Sequence, residues 1–243
     1  MGKYMIRLCF VLALFRCYPT WAQGEPSITG LNVGMVEEFQ PLDPIESQWD
    51  GTSYVIPMVS RPLVRRDRHD KLQPFWITQL PTHENGGIQT VTENKIVYTV
   101  LSLKLKSQAK WGDGSPITNK DIEYTYNRAK RGPSVHRVRV YDKIEKIIAN
   151  PSYPDKFSIY ISPNHLFNIR DLTDFFIIPV PPQTLSKKLN KEIDEKKDKE
   201  LTYSSDPNNP KLYNGPYLVK YFKQGNQISL VPNPSYIGKK PSL

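Results

Sequence analysis

The chain has 243 residues, 38% of them hydrophobic and 23% charged, and a formal charge of +9 at neutral pH. That composition supports a sizeable buried core in one large or two small domains. It excludes a membrane-embedded body, since no stretch beyond the N-terminus is apolar enough to cross a bilayer, and a basic excess this modest implies solubility and weak attraction to anionic surfaces, nothing sharper.

The first residues read as a cleavable secretory signal peptide over 1–22. "MGKYMIR" is basic, "LCFVLALF" is too short to span a membrane, and "PTWAQGE" supplies small residues for cleavage. Thr20 and Ala22 fit the −3 and −1 positions, so the mature chain is expected to start at Gln23; a cut after Gly24 is the alternative. Cys9 and Cys17 leave with this segment, and the mature chain then has no disulfide, no thiolate-bound zinc and no thiol nucleophile. Arg16 directly before Cys17 argues against a lipoprotein site. Loss of Lys3, Arg7 and Arg16 lowers the charge from +9 to +6. The expected location is a bacterial periplasm.

"ITGLNVGMV" (28–36) reads as a first buried strand, followed by the acidic loop "EEFQPLDP". In 50–67, Val55, Met58, Val59 and Leu63 have helical spacing, and Pro57 and Pro62 are expected to kink or shorten the helix. "RDRHDK" is a polar turn, and "HENGGIQTVTEN" is a loop of hairpin character whose Gly86-Gly87 pair supplies positive φ. "KIVYTVLSLKLK" (95–106) is a strand with Leu101, Leu103 and Leu105 on one face. Residues 143–150 and 156–162 form a hairpin around "PSYPD", and 174–182 is a short, fully buried strand ending in prolines. In 183–201, Leu185, Leu189 and Ile193 mark a surface helix whose interleaved acids cancel the field of its lysines. The loop 204–217 then feeds two strands, "YLVKYF" and "QISLVP", joined at "KQGN". Helices and strands alternate irregularly, which favours an α/β or α+β architecture.

"WGDGSPITNKD" (111–121) concentrates two carboxylates in eleven positions. Asp113-Gly114 is a turn signal after a strand ending at Lys110-Trp111. Thr118 and Asp121 have capping-box spacing, Thr118 closing the N–H three residues on and the acid favouring the helix's positive end. Ile122, Tyr126 and Ala129 continue as the apolar stripe of that helix. A turn and a cap separate the two acids, so both are assigned to structure rather than catalysis.

The run "LKLKSQAKWGDGSPITNKDIEYTYNRA" resembles the most recognisable stretch of the family 5 extracellular solute-binding proteins, the periplasmic dipeptide- and oligopeptide-binding components of ABC importers. The matching positions are Lys110, Trp111, Asp113, Gly114, Pro116, Thr118 and Asp121. In order along the chain, "PLDP" (41–44), "SRPLVRRDRHDKLQP", "PTHENGGI" and "YNGPYLVKYFKQGNQISLVPNPSYIGKKP" are also similar to family segments. The resemblance implies an α/β, periplasmic-binding-protein type II-like first lobe of mixed sheets and flanking helices over 23–243. It implies too that the second lobe is absent, as in a truncated form. Its partners would be a peptide or other small solute and a membrane ABC permease, with no nucleic acid, and the protein would be a monomer. The alternatives are a non-peptide solute (a sugar, a nickel chelate or haem) and a remnant that binds nothing.

Six ligand-contact candidates follow from the resemblance: Glu37, Glu38 and Phe39 in the loop after the first strand, Val135 and His136 after "RAKRGP", and Tyr236 near the cleft floor, for which burial within the lobe is the rival reading. No catalytic residue, metal site or cofactor is expected. His69, His83, His136 and His165 lack metal-ligand spacing, and no nucleophile elbow or phosphate loop occurs. A secreted hydrolase would need a Ser–His or carboxylate pair that nothing singles out. Tyr153 and Tyr160 could stack on sugars, but hairpin packing accounts for them equally well.

Overall fold

The computed structural model describes residues 30–35, 42–45, 50–131, 139–181, 203 and 206–241. Contacts divide the chain into two compact units. The described residues of the first are Gly30, Leu31 and Asn32, exposed and without regular structure. The second, Val33–Ser242, holds every helix and strand below. The signal peptide and the charged helix expected over 183–201 lie outside the described residues.

The strand expected at 28–36 is corrected where it can be seen. Residues 30–35 join no ladder among the described strands, and Leu31 and Val33 are each 71% exposed. A β-branched apolar run makes a strand only when a partner accepts its backbone bonds, and no strand among the described residues does so here.

Helix α1 (Asp50–Val59) runs through Pro57 and stops short of Pro62, so it is shortened as expected but not ended at the first proline. It buries Val55, Ile56 and Val59 and leaves Met58 45% exposed. The Val59 carbonyl, orphaned at the helix end, accepts from the backbone of Asn214 (3.1 Å) and Gly215 (2.8 Å). Leu63, expected on the helix, lies beyond it at a bend, where its carbonyl takes the N–H groups of Phe75 and Trp76. A short hairpin follows, β1 (Val64–Arg66) against β2 (Leu72–Pro74), with Asp67 closing the turn through the backbone of His69 and Lys71.

The main sheet has four antiparallel strands in the order β3-β4-β6-β5: β3 Ile88–Glu93, β4 Ile96–Lys104, β5 Ile144–Ala149 and β6 Lys156–Ile161. Strand β3 corrects the loop expected at 83–94. It is an edge strand of mostly exposed polar residues, so its pattern imitates a loop. The turn glycines are also corrected. Gly86 has φ +69°, but Gly87 is needed for close approach, since a Cβ there would lie 2.7 Å from Pro81 Cα. Across the sheet, Leu101, Ile159 and Ile147 stand in register, each 6% exposed or less. Leu103 faces Phe157 one step along. Each such side chain contributes about 1.5–3 kcal/mol by leaving water.

Helix α2 (Asn119–Arg131) connects β4 to β5 and packs on β5. Ile122, Tyr126 and Ala129 are 0%, 7% and 4% exposed, the stripe expected of them. Of the described residues 174–181, Phe175, Ile177 and Ile178 are at 2% exposure or less, but Asp174 is exposed, so the segment is only partly buried, and it forms no strand. One bridge pairs Phe176 with Pro62, Tyr141 Oη donates to Phe176 O (2.8 Å), and two N–H groups find side chains of α2: Ile178 N–H donates to Thr125 Oγ1 (3.0 Å) and Val180 N–H to Asp121 Oδ1 (2.9 Å). A final hairpin, β7 (Tyr217–Lys223) with β8 (Gln227–Pro232), has a register shift at Val219/Tyr221.

Candidate functional site

The two carboxylates of the Trp111–Asp121 stretch do different local work. Asp113, exposed, accepts from Ser115 N–H (2.9 Å) and Ser115 Oγ (2.6 Å), which fixes the turn. That turn belongs to a small loop closed by a Lys110–Pro116 bridge, because the long strand ends at Lys104 rather than Trp111. Asp121, 6% exposed, accepts from Thr118 N–H (2.8 Å) and Thr118 Oγ (3.1 Å) through Oδ2 and from Val180 N–H through Oδ1. Only half of the expected capping box forms: the acid caps Thr118, whose hydroxyl donates to that acid instead of accepting from the helix. Burial raises the Asp121 pKa, opposed by these hydrogen bonds. The neighbouring Trp111 indole helps to hold it down, although its buried N–H reaches no acceptor at hydrogen-bond distance and angle. Asn119 adds an anchor that the spacing did not reveal. Its amide nitrogen lies 2.8–2.9 Å from the carbonyls of Asn150, Tyr153 and Lys156, pinning the start of α2 to the β5–β6 turn.

A buried ion pair ties two distant parts of the chain together. Arg128 Nη2 meets Asp43 Oδ2 at 2.6 Å, with the side chains 6% and 8% exposed. Asp43 stands four residues after Phe39, and Arg128 stands seven before Val135. The stems of both candidate ligand loops are thus fastened to each other, while Glu37, Glu38, Phe39, Val135 and His136 themselves lie outside the described residues. The buried phenols of Tyr141 and Tyr203 have pKa values raised well above the usual range, by desolvation first and by the Asp43 charge second.

Tyr236 is 6% exposed and stacks on Phe75, with ring centroids 5.8 Å apart at 27°. This is the burial reading of that residue. Phe75 also meets Trp76 edge-on at 4.7 Å, and Trp76 Nε1 donates to Arg61 O (3.0 Å). Three cations converge on the aromatic pair. Arg61 Nε donates to the Tyr236 hydroxyl at 3.4 Å, the Arg65 guanidinium lies 5.5 Å from the Phe75 centroid, and Lys106 Nζ lies 6.0 Å from it. Lys106, half-buried, donates to Pro74 O (3.1 Å), and its pKa is lowered by desolvation and then by the Arg65 charge. Sequence reasoning missed these cations, because Lys106 alternates with leucines like a solvated strand residue; the neighbouring Phe75-Trp76 pair was the available signal.

Other surfaces offer less. Among the described residues, no group of three His, Cys, Asp or Glu side chains is placed to hold a metal ion, and no helix is long and apolar enough to cross a membrane. Tyr160 meets Tyr98 edge-on at 5.8 Å with the Lys146 ammonium 4.3 Å above it, and Lys156 lies 4.2 Å over Tyr153. Both tyrosines therefore have packing partners. A cavity of about 440 Å³ opens over the outer sheet face beside Ser102, Lys104, Ile148 and Ser158, where Lys104 is paired with Asp155 at 3.5 Å.

Comparison with known proteins agrees with this architecture. The chain is 26% identical over 163 residues to a putative ABC transporter peptide-binding protein of Brucella ovis, covering 63% of this chain and 26% of that one. It is 26% identical over 173 residues to the oligopeptide-binding protein OppA of Lactococcus lactis subsp. lactis, covering 65% and 28%. The chain therefore spans about a quarter of the length of these relatives. In structure it matches the oligopeptide-binding protein of Thermus thermophilus complexed with a pentapeptide (TM-score 0.56, 16% identity, 82% of this chain and 35% of that one). It also matches NikA of Brucella suis in complex with Fe(III)-EDTA (TM-score 0.58, 14% identity, 83% and 35%). The fold is thus the α/β architecture of one portion of a type II periplasmic binding protein, as expected. Residues 87–243, well over half of the chain, match the sequence model of the bacterial extracellular solute-binding proteins, family 5, and the chain belongs to that family.

Proposed function

We propose that this chain is the substrate-binding component of a peptide ABC importer, exported through a cleaved signal peptide to the periplasm, where it captures a peptide and delivers it to a membrane permease. The observation that carries this reading is the family match over residues 87–243, supported by relatives named as peptide-binding. The chain acts as a monomeric binder, not an enzyme: its two prominent carboxylates are committed to a turn and a helix cap. Glu37, Glu38, Phe39, Val135 and His136 contact the ligand from two loops whose stems meet at Asp43–Arg128, and Tyr236 supports the floor from within. A non-peptide solute is the alternative, favoured by likeness to the Fe(III)-EDTA and Ni(L-His) complexes.

Thermal unfolding of the purified protein with and without a peptide pool tests the reading. A ligand at a hundredfold over its Kd adds about 2.7 kcal/mol, which raises Tm by roughly 5–10 °C for a chain of this size. An unchanged Tm with peptides and a rise with a metal chelate would transfer the assignment to the alternative.

A further inference from the structure

Buried or half-buried cations in folded proteins are normally matched by a carboxylate, because a charge withdrawn from water is costly unless paired. The ion pairs elsewhere in this chain follow that rule: Arg128 meets Asp43, Lys143 meets Asp171 at 2.8 Å, and Lys146 meets Glu93. Around Phe75 two half-buried cations lack such a partner: Arg61 has a phenol and Lys106 a backbone carbonyl, while Arg65, exposed, lies against the face of the same ring as Lys106. The neighbouring acid, Asp67, feels the Arg65 charge but spends its oxygens on the backbone of His69 and Lys71 and on Gln73.

Cation–π contact with one ring accounts for one of these positions, not for gathering three. Two cations over a single ring repel each other, and the lowered pKa of Lys106 records both its desolvation and the Arg65 charge. The scaffold nevertheless holds them together. Arg61 N–H donates to Asn214 Oδ1 (2.7 Å), Lys106 N–H donates to Trp76 O (2.8 Å), and the Phe75–Tyr236 stack forms the floor. Such an array is preorganised for an anion: an incoming carboxylate relieves the repulsion and meets fork-shaped donors at low conformational cost.

We propose that Arg61, Arg65 and Lys106, fixed around the Phe75–Tyr236 stack, form a subsite for a carboxylate group of the bound solute. The inference rests on the solute-binding reading and names the chemical class that one part of the solute must present.

The test is a two-dimensional NMR titration of the full chain with succinate as probe and uncharged succinamide as control. Succinate should shift the amides of 61–65, 74–76 and 106, and should raise the Lys106 pKa toward its ordinary value. Succinamide should do neither. Arg65→Gln/Lys106→Gln should weaken succinate binding at least tenfold with an unchanged far-UV spectrum, and Lys106→Arg should retain it. Equal response to both probes, shifts confined to other regions, or no shifts would overturn the subsite. Repeating the peptide-pool melt on the same variants separates the two readings. Pool binding unaffected by the double variant removes the subsite alone, whereas succinate binding without any pool binding upholds it and removes the peptide reading.

Discussion

Asp121 and Lys106 are both ionisable groups withdrawn from water, and their surroundings could hardly differ more. Asp121 caps α2 with its carboxylate spent on Thr118 and Val180, so its burial is partly compensated by neighbours in the fold. Lys106 has one backbone carbonyl and a guanidinium nearby that opposes its charge. The contrast distinguishes a charged group that builds the fold from one that the fold holds ready. The most distinctive acids in the sequence fall on the building side, and the inconspicuous lysine falls on the other.

The comparison can be broken by substitution, beginning where the effect is largest. Arg128→Ala strands a buried carboxylate and should cost about 3–5 kcal/mol in urea unfolding. A paired Asp43/Arg128 replacement by apolar residues should recover most of that loss. Asp121→Ala leaves the Thr118 and Val180 amides unsatisfied and should cost about 2–4 kcal/mol. Asp113→Ala, at an exposed turn, should cost under about 1 kcal/mol. Lys106→Met should change stability by no more than about 0.5 kcal/mol while weakening succinate binding. If Lys106→Met proved as destabilising as Asp121→Ala, the lysine would be a building group and the contrast would collapse.

The pH dependence sharpens the same contrast, because the two shifts act with opposite sign. The Asp121 pKa is raised above 3.8, so the folded chain holds the extra proton in that window and its contribution to stability falls as pH rises through it. The Lys106 pKa is lowered from 10.5, so the unfolded chain holds the extra proton there and stability rises as pH climbs toward 10.5. Unfolding measured against pH in Asp121→Asn and Lys106→Met should lose the acid slope in the first and the alkaline slope in the second.

Hairpins and the helix after "WGDGSP" were legible because their information is local. Leu101, Leu103 and Leu105 alternate within one strand, and 144–161 folds back across a single turn. The segments at 30–35 and 174–182 were not, since their fates depend on remote partners: the first finds none among the described strands, and the second is held by Thr125 and Asp121 of α2. Strand β3 was hidden by its polar edge. Tyr236 was legible as a buried residue, although its stack on Phe75 joins residues far apart in sequence. The cation array escaped notice for the same reason, as Lys106 reaches the Phe75 ring only once residues 76–78 pair with 104–106.

Solute binding through contacts that include a carboxylate subsite is what we propose for this chain. Calorimetric titration of the protein with a random tripeptide pool, and then with the same pool amidated at its C-termini, tests it most directly. Saturable heat with the free acids, weakened at least tenfold by amidation, is the expected result. Heat with neither pool, or equal heat with both, would contradict it.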